Sequence, residues 1–271
     1  MKQDTYTHGH QPVVVNQHAR RTVETCAQFC RHVIEPSSRV LDVGCGPATI
    51  TVGLARWAAD GSVTAIEPGG AILDTARQNV ANAGISNVSI EDASVYELPY
   101  EDDSFDVAYA HQVMQHLTDP VLALSEMRRV VRPGGHVAVR DSDYDTMRCF
   151  PESDAIDRWR DVYRRVARHN NAEPDAGRYL LAWCREAGLT DVTMTASVWN
   201  YYLDDDRRNW GSSWADRCLT SSFGQQAVEY GYATSAEMEE IAAGWREWAE
   251  DPTGYFHFIH GEAVAAVGEG T

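Results

Sequence analysis

The chain has 271 residues, 44% of them hydrophobic, and its 23 Lys and Arg against 40 Asp and Glu give a formal net charge of −17. This length and apolar content favour one large folded domain, or one domain with a sizeable insertion, and exclude a wholly disordered or fibrous protein. The charge disfavours a nucleic-acid-binding surface, because phosphates are bound by clustered Lys and Arg. No apolar run reaches the roughly 20 residues of a membrane helix, and residues 1–10 are too polar for a signal peptide. We therefore expect a cytoplasmic protein with no membrane span.

Cysteine usage predicts neither a metal site nor disulfides. Cys26 and Cys30 lie one helical turn apart, but no second pair accompanies them, so the spacing does not predict zinc. A chain of this size folds without covalent cross-links, and we expect free, buried thiols in a reducing compartment. The remaining cysteines are Cys45, Cys149, Cys184 and Cys218.

The first half of the chain alternates between predicted strands and helices. Residues 12–34 look mainly helical and precede the first strand. Between residues 39 and 141, short runs rich in β-branched residues predict strands, and apolar residues at helical spacing predict helices. The predicted strands are 39–43, 62–66, 87–90, 105–110 and 136–140, and the predicted helices are 48–59, 71–83 and 121–131. Continuous apolar strands that alternate with helices predict a parallel sheet covered on both faces, which is the doubly wound α/β architecture.

The second half is more helical and more aromatic. Two amphipathic helices are predicted by apolar stripes: Ile156, Trp159, Tyr163 and Val166 within 144–168, and Met238, Ile241, Trp245 and Trp248 within a polar insertion at 204–250. A helix at 178–187 and strands at 192–202 and 255–267 complete the prediction. Seven of the eight tryptophans follow residue 150. They are expected to pack the extra helices onto the sheet, to line an apolar pocket, or both.

A glycine turn follows the first predicted strand. Residues 40–49 read Val-Leu-Asp-Val-Gly-Cys-Gly-Pro-Ala-Thr, in which Gly44 and Gly46 let the backbone turn tightly and approach a ligand at a helix start. Nicotinamide-dinucleotide proteins use such a turn, but their fingerprint has a third glycine where this chain has Thr49. Glu67 ends the second strand, 23 residues beyond Gly44 (67 − 44). A carboxylate at this place binds two ribose hydroxyls, whether the cofactor is a nicotinamide dinucleotide or another ribose-containing molecule. These residues predict a ribose-containing cofactor and leave its class open.

Motifs after the later strands distinguish a nicotinamide dinucleotide from another ribose-containing cofactor. Asp92 follows the third strand, where it can accept a hydrogen bond from an adenine amino group. The fourth strand region reads Ser-Phe-Asp-Val-Ala-Tyr-Ala-His at 104–111 and is followed by Gln115-His116-Leu117, by Pro120 and by the turn Val131-Arg132-Pro133-Gly134-Gly135-His136. With its motifs in this order, the chain resembles the class I S-adenosylmethionine (SAM) dependent methyltransferases. Within them it is most similar to the small-molecule group that includes the ubiquinone and menaquinone C-methyltransferases, over residues 39–141, about two-fifths of the chain.

The resemblance implies a Rossmann-like, seven-stranded methyltransferase fold and a set of cofactor-binding residues. It implies that the methionine part of SAM is surrounded by Asp42, Gly44, Cys45 and Gly46. It also implies that Glu67 binds the ribose, with Pro68 beside it, and that Asp92 and Ala93 hold the adenine. The carbonyl of Ala110 would accept from the ammonium group, and His111 belongs to the same cofactor-binding set. The product of the cofactor would be S-adenosylhomocysteine (SAH), and no metal is expected.

The resemblance also implies a lid and a cap around this site. An N-terminal helical arm, residues 1–36, is expected to fold over the cofactor, with Tyr6, His10, His18 and Arg21 as its lid residues. Residues 37–271 would form the SAM-binding domain, with insertions near 144–176 and 203–252 that act as a substrate cap.

Methyl transfer from SAM needs alignment of the reacting atoms and exclusion of water more than it needs chemical groups on the protein. A general base is required only for a protonated, weakly acidic nucleophile. Candidates lie beyond strands four and five, where ligands bind in open α/β sheets. They are His111, His116, Asp141, Asp143 and Tyr144, and we expect His116, whose ordinary pKa is about 6.5, Asp141 or Tyr144 to act.

Three functions are considered. The leading hypothesis is a methyltransferase that modifies an oxygen, carbon or nitrogen atom of a small, fairly apolar or aromatic acceptor. A nicotinamide-dependent oxidoreductase is disfavoured by Thr49 and by the motifs after strands three and four. The third hypothesis is a SAM-binding fold used for non-methyl chemistry or as a non-catalytic partner, since fold alone does not fix function. The sequence leaves open whether the protein is a monomer or a homodimer.

Overall fold

Seven strands form one mixed sheet in the computed structural model, which describes residues 4–7, 9 and 11–268. The strands are β1 (Arg39–Val43), β2 (Ser62–Glu67), β3 (Val88–Asp92), β4 (Phe105–His111), β5 (Val131–Phe150), β6 (Asp191–Tyr201) and β7 (Tyr255–Ala266). Their order across the sheet is β3-β2-β1-β4-β5-β7-β6. The predicted doubly wound, seven-stranded α/β fold is confirmed.

The direction and order of the strands place a ligand-binding site at the carboxyl ends of the central strands. Strands β1 to β5 are parallel, and β7 is antiparallel to both β5 and β6. The chain builds outward from β1 to β3 and then returns to β4 on the other side of β1, so the order reverses between β1 and β4. Ligands of open α/β sheets bind beyond the carboxyl ends of the strands at such a reversal. Gly44, just after β1, and His111, at the end of β4, lie at this edge.

Helices cover both faces of the sheet because neighbouring residues of a strand point to opposite sides. Val40 of β1 lies in one buried cluster with Leu54, while the adjacent Leu41 lies in another with Leu124. The helices are α1 (Pro12–His18), α2 (Val23–Cys26), α3 (Thr49–Trp57), α4 (Ala71–Asn82), α5 (Pro120–Val130), α6 (Asp154–His169), α7 (Leu180–Glu186), α8 (Asp204–Thr220), α9 (Ser222–Glu229) and α10 (Ser235–Glu250). Helices α2 and α3 pack on the Val40 side, and α5 and α7 on the Leu41 side.

Four C-terminal helices, α6 and α8–α10, which we call the cap, share a second apolar core. This core is built largely from aromatic rings: Trp159, Trp214 and Trp245 are at most 1% exposed, and the ring centroids of Trp159 and Trp214 lie 4.3 Å apart. Every residue of the two predicted apolar stripes is buried. The amphipathic helices predicted from those stripes are therefore confirmed, and most of the cap tryptophans pack the core.

Strand β5 is longer than the sequence predicts. The prediction ended at residue 140 and assigned 144–176 to an insertion, whereas β5 continues to Phe150. The extension pairs with β7 as far as the Phe150–Tyr255 pair, with a register shift between Asp143 and Arg148. Polar residues such as Asp141 interrupt the apolar run, and the pairing partner lies more than 100 residues away along the chain. The helical part of the insertion begins only at α6.

The predicted helical region at 12–34 is divided into three short pieces. Helix α1 ends at His18, α2 spans Val23–Cys26, and a 3₁₀ helix spans Gln28–Val33. Thr22 is extended, with φ −132° and ψ 167°, and begins α2 with a capping box, which interrupts the helical spacing.

All six cysteines are free thiols, and all but the half-buried Cys149 are buried, as predicted. Among the described residues, no helix is both long enough and apolar enough to cross a membrane.

Candidate active site

A cavity of about 690 Å³ lies at the carboxyl ends of β1, β2 and β4. This volume falls in the range of about 300–1,000 Å³ typical of small-molecule sites. The predicted cofactor residues that line it are Tyr6, Asp42, Gly44, Cys45, Gly46, Glu67, Pro68, Ala93 and His111, together with the predicted lid residues His18 and Arg21 and the predicted catalytic residue His116. Five predicted residues are not part of its wall: Asp92, Ala110, Asp141, Asp143 and Tyr144. His10 lies outside the described residues.

The turn after β1 presents backbone to this cavity. Gly44 and Gly46 have φ values of +70° and +52°, in the left-handed region that favours glycine. A Cβ atom on Gly44 would lie 2.5 Å from Cγ2 of Val113, whereas a Cβ atom on Gly46 would meet nothing within 4 Å. Packing therefore requires glycine at position 44, while Gly46 leaves open space in which a ligand can approach the backbone.

Glu67 and Asp92 end neighbouring strands and both accept backbone hydrogen bonds. Oε2 of Glu67 accepts from the amide of Gly46 at 2.9 Å, which joins the end of β2 to the glycine turn. Burial raises the pKa of Glu67. Oδ1 of Asp92 accepts from the amide of Gly69 at 2.9 Å, and its carboxylate is more exposed than that of Glu67. Each carboxylate retains acceptor capacity for a further hydrogen bond, because an ionised carboxylate has about four lone-pair positions.

Asp42 is a buried carboxyl group beneath the glycine turn. It is 2% exposed, and its Oδ2 accepts from Oγ1 of Thr51 at 2.6 Å. Burial raises the pKa of Asp42 to about 7. A positively charged ligand group nearby would favour the ionised form, so binding of a cation and deprotonation of Asp42 are coupled.

The described N-terminal segment, which we call the arm (residues 4–7, 9 and 11–34), is tied to the rim of the cavity. Oδ1 of Asp4 accepts from the hydroxyl of Tyr96 at 2.9 Å and from the amide of Thr118 at 2.8 Å. The rings of Tyr6 and His116 meet edge to face with their centroids 4.8 Å apart. These contacts place the arm across the cavity.

The arm also contacts the cap. Nδ2 of Asn170, at the end of α6, donates to Oγ1 of the fully buried Thr7 at 3.0 Å. On the surface, Arg20 forms an ion pair with Asp206 of α8 at 3.1 Å. The arm therefore links the cavity to the cap, whose own helices are not part of the cavity wall.

His111 supplies a buried donor at the cavity wall. Nη1 of Arg140 lies 3.4 Å from Nδ1 of His111, and because a guanidinium only donates, Nδ1 accepts and Nε2 carries the hydrogen. Nε2 is buried and has no hydrogen-bond partner among the residues that the structure describes. Burial and then the charge of Arg140 lower the pKa of His111 well below its usual value, so the ring is neutral. Such a group suits an acceptor oxygen of a ligand.

His116 is also neutral, which differs from the titrating histidine that its ordinary pKa predicted. Burial lowers the pKa of His116 to about 3. Oε1 of Gln115 accepts from the hydroxyl of Ser142, so the Gln115 amide nitrogen donates to Nε2 of His116, at 2.9 Å. The lone pair of Nε2, with which a general base would accept a proton, is therefore engaged in this hydrogen bond.

Asp141, the first residue of β5 beyond its pairing with β4, has different properties. It is fully buried, its Oδ1 accepts from the amide of Gln115 at 3.1 Å, and its Oδ2 has no hydrogen-bond partner within the described part of the chain. Burial raises the pKa of Asp141 to about 7. Its protonation equilibrium therefore falls in the physiological range, although its side chain lies behind the wall of the cavity.

The other two base candidates are engaged elsewhere. Asp143 forms a bidentate ion pair with Arg178, with Nε and Oδ2 2.6 Å apart. Tyr144 stacks on Tyr163 with the ring centroids 4.3 Å apart, and burial raises its pKa to about 12. Asp143 therefore joins β5 to the segment before α7, whereas Tyr144 packs against α6 of the cap.

Sequence reasoning missed Gln112, which is a wall residue with an unusual backbone. Its φ is +54°, its amide donates to the carbonyl of Arg140 at 2.7 Å, and its side chain joins Nη2 of Arg21, at 2.6 Å, to the ring of His260. Its place directly after β4 was the available signal. The sequence also missed Arg217, inside α8, where no local signal marks it.

Comparisons with known proteins agree with this geometry. Residues 34–200 match the family described as "Methyltransferase domain". The chain is 32% identical to an uncharacterised methyltransferase of Schizosaccharomyces pombe over 96% of its own length and 95% of that protein. The chain belongs to the methyltransferase family. This membership removes the hypothesis of a nicotinamide-dependent oxidoreductase. The methyl donor of the family is SAM.

Two further similarities concern part of the chain and the fold. The demethylmenaquinone methyltransferase of Bacillus subtilis is 31% identical over 44% of this chain and 52% of that protein, in line with the resemblance drawn from the motifs. The crystal structure of a methyltransferase assigned as putative from Bacillus halodurans superposes with a TM-score of 0.59 at 18% identity, covering 96% of this chain and all of that one. The second similarity concerns the fold alone.

Proposed function

We propose that this protein transfers a methyl group from SAM to a small, apolar or aromatic acceptor held between the sheet edge and the cap. The observation that carries the proposal is the 690 Å³ cavity at the reversal between β1 and β4, across which the arm lies. An arm held at the cavity through Asp4 and Arg21 favours a small acceptor over a macromolecule, and the net charge of −17 disfavours nucleic acid. A cytoplasmic location remains part of this proposal.

The residues present in the cavity fit SAM. Open space at Gly46 would admit the methionine part close to the backbone, with Asp42, Gly44 and Cys45 around it. The buried Nε2–H of His111, which has no partner among the described residues, would donate to the ligand carboxylate.

The nucleoside part would bind along the ends of β2 and β3. Glu67 would accept hydrogen bonds from the ribose hydroxyls, with Pro68 beside it. Ala93 and Asp92 would hold the adenine at the cavity rim, and the carbonyl of Ala110 would receive the ammonium group. The assignments of Glu67, Pro68 and Ala93 rest on wall positions, whereas those of Asp92 and Ala110, which are not part of the wall, rest on the resemblance and on the acceptor capacity of each group.

The acceptor would lie beside the cofactor, on the cap side. A second, smaller cavity of about 20 Å³ adjoins there, and Arg21 and Gln112 line both spaces. Its wall combines polar side chains with the apolar and aromatic side chains of Met147, Trp199, Trp210, Trp214 and Phe258. The aromatic part of the wall favours an acceptor with an apolar or aromatic body.

Bound SAM supplies a methyl group that is already electrophilic because it is attached to a sulfonium. The chain would align the acceptor with it and exclude water through the arm. For an acceptor that arrives protonated, Asp141 is the better base candidate, since its pKa lies near 7 and that of His116 near 3. Because Asp141 lies behind the cavity wall, a proton would have to reach it through an intervening water. His116 would position Tyr6 and Gln115.

Calorimetric titration with SAH, with NAD in parallel, tests the cofactor. We expect micromolar binding of SAH and none of NAD. A panel of small aromatic nucleophiles, followed by the conversion of SAM to SAH, then tests the transfer. SAH binding without conversion of SAM by any acceptor would contradict the proposed transfer and favour a non-methyl or non-catalytic role.

A further inference from the structure

One buried arginine in the cap has no ion-pair partner among the residues that the structure describes. Arg217 on α8 is 3% exposed, and neither its Nε nor its Nη2 has a hydrogen-bond partner among the described residues. No carboxylate of the described chain lies within ion-pair distance of it. A buried charge left unpaired destabilises a fold, so its retention requires another explanation.

Arg207, on the same helix, shows how this fold pairs an arginine that only supports structure. It is 1% exposed, its Nε donates to the carbonyl of Ala249 at 2.9 Å, and its Nη1 donates to the carbonyl of Tyr202 at 3.2 Å and to Asp204 at 3.0 Å. The two arginines share a helix and a degree of burial. They differ in that the donors of Arg207 are used inside the chain.

The surroundings of Arg217 select for an anion. Its guanidinium lies over the ring of Trp214, 4.8 Å from the centroid, and it lines the 20 Å³ cavity together with a second cation, Arg21. The other lining residues carry no carboxylate: Gln17, Gln112, Ser142, Tyr144, Met147, Trp199, Trp210 and Phe258. Two guanidinium groups facing one space repel each other until an anion lies between them.

The size of the space favours one kind of anion. A cavity of 20 Å³ holds little more than about one water-sized group, so it suits the end of a planar carboxylate better than a tetrahedral phosphate. Arginine binds a carboxylate through two parallel hydrogen bonds, and Nε with Nη2 is one such pair of donors. The apolar remainder of the ligand would extend toward the larger cavity, which Arg21 and Gln112 also line.

We propose that Arg217, assisted by Arg21, binds a carboxylate carried by the acceptor and thereby fixes how the acceptor faces the cofactor. This inference rests on the proposed function, because it assigns the class of acceptor for the same site: an aromatic or apolar acid. Arg217 is then a specificity-determining residue, and its unpaired donors in the free protein are the binding site.

Binding of benzoate to the SAH-saturated protein tests this, with benzamide as the neutral probe of the same shape and inorganic phosphate as a second anion. Calorimetry should show benzoate binding more tightly than either. Arg217→Met should weaken benzoate at least about tenfold and leave SAH affinity unchanged. The matched control is Arg246→Met, which removes an exposed cap arginine paired with Asp216 at 3.2 Å and should leave benzoate binding unchanged.

Thermal unfolding separates a binding arginine from a structural one. Arg217→Met should keep or raise Tm, because it removes an unpaired buried charge, whereas Arg207→Met should lower Tm. Arg217→Lys keeps the charge without the paired donors and should also bind benzoate more weakly than the unmodified protein.

The outcomes distinguish the two proposals. Failure to bind SAH would overturn the proposed function, and this inference with it. Normal SAH binding with no benzoate binding, or with equal affinity for benzoate and benzamide, would overturn the carboxylate site alone. Tighter binding of phosphate than of benzoate would overturn the choice of a carboxylate, and unchanged benzoate affinity in Arg217→Met would exclude that arginine.

Discussion

The cofactor cavity and the cap are built in contrasting ways. Around the cavity the wall is made by strand ends and turns: Gly44 and Gly46 adopt positive φ, and Glu67 is held by a backbone amide. In the cap the structure is made by large side chains packed on one another, such as Trp159 and Trp245 with ring centroids 4.9 Å apart. The contrast teaches that binding of a common cofactor is encoded in local backbone geometry, whereas the space for the acceptor depends on packing between distant segments.

The largest effect is expected from a substitution in the cap core. Trp245 is fully buried, so Trp245→Ala should lower the free energy of unfolding by about 3–5 kcal/mol, measured by urea denaturation. SAH affinity of the folded protein should change by less than about twofold, since Trp245 is remote from the cofactor wall. Trp183→Ala, which truncates a half-buried tryptophan outside the cap, should cost less. A large loss of SAH affinity in Trp245→Ala would break the contrast between the two regions.

Turnover should depend on Asp141 more than on His116 if a proton must be removed. With an acceptor identified in the panel, Asp141→Asn should lower kcat about 100-fold or more while SAH affinity is kept. His116→Gln should lower kcat by less than about tenfold and leave the pH profile unchanged, as expected of a positioning residue. The conversion of SAM to SAH across pH measures both, and equal losses in the two variants would contradict the assignment.

Removal of the carboxylate at the end of β2 should act on the cofactor alone. Glu67→Ala should weaken SAH by about 10- to 100-fold, because it removes charged acceptors for the ribose hydroxyls. Calorimetry measures the change. The matched control is Glu101→Ala, which removes an exposed carboxylate outside the cavity and should leave the affinity as it is. Similar losses in both variants would point to a general effect of charge.

Cofactor affinity should rise with pH because Asp42 titrates near neutrality. Burial raises the pKa of Asp42 to about 7, so the carboxyl is mostly protonated at pH 6 and mostly ionised at pH 8. The ionised form attracts the ammonium group of the ligand, and SAH affinity should increase by up to about tenfold over this range. In Asp42→Asn the increase should disappear; a persistent increase would assign the titration to another group.

The stability of the ligand-free protein should follow pH in the opposite direction. The pKa values of Asp42 and Asp141 are about 7 in the folded chain, against about 3.9 when unfolded, so the folded state binds these protons more tightly. Their contribution is fully present below about pH 3.9 and is lost as the pH rises through about 7. The Tm should therefore be lower at pH 8 than at pH 6, by a smaller margin in Asp42→Asn.

Much of the cofactor half could be predicted from the sequence, because its signals are local. The strand at 39–43 has the predicted bounds, and the glycine turn and Glu67 follow from spacing alone. The extension of β5 to Phe150 could not be predicted, because it depends on pairing with β7. The protonation states of His116 and Asp141 were out of reach for a similar reason: burial by other segments displaces their pKa values in opposite directions.

The sequence by itself determined the fold class, the family and the edge of the sheet where the ligand binds, since hydrophobic periodicity and turn residues act over a few positions. Only the tertiary structure decided which polar groups are satisfied. Arg207 and Arg217 lie in the same helix and look alike in the sequence, yet one is paired by Ala249 and Tyr202 and the other faces a small cavity. Partners of a buried charge come from segments far along the chain, so the role of such a residue is set when those segments pack.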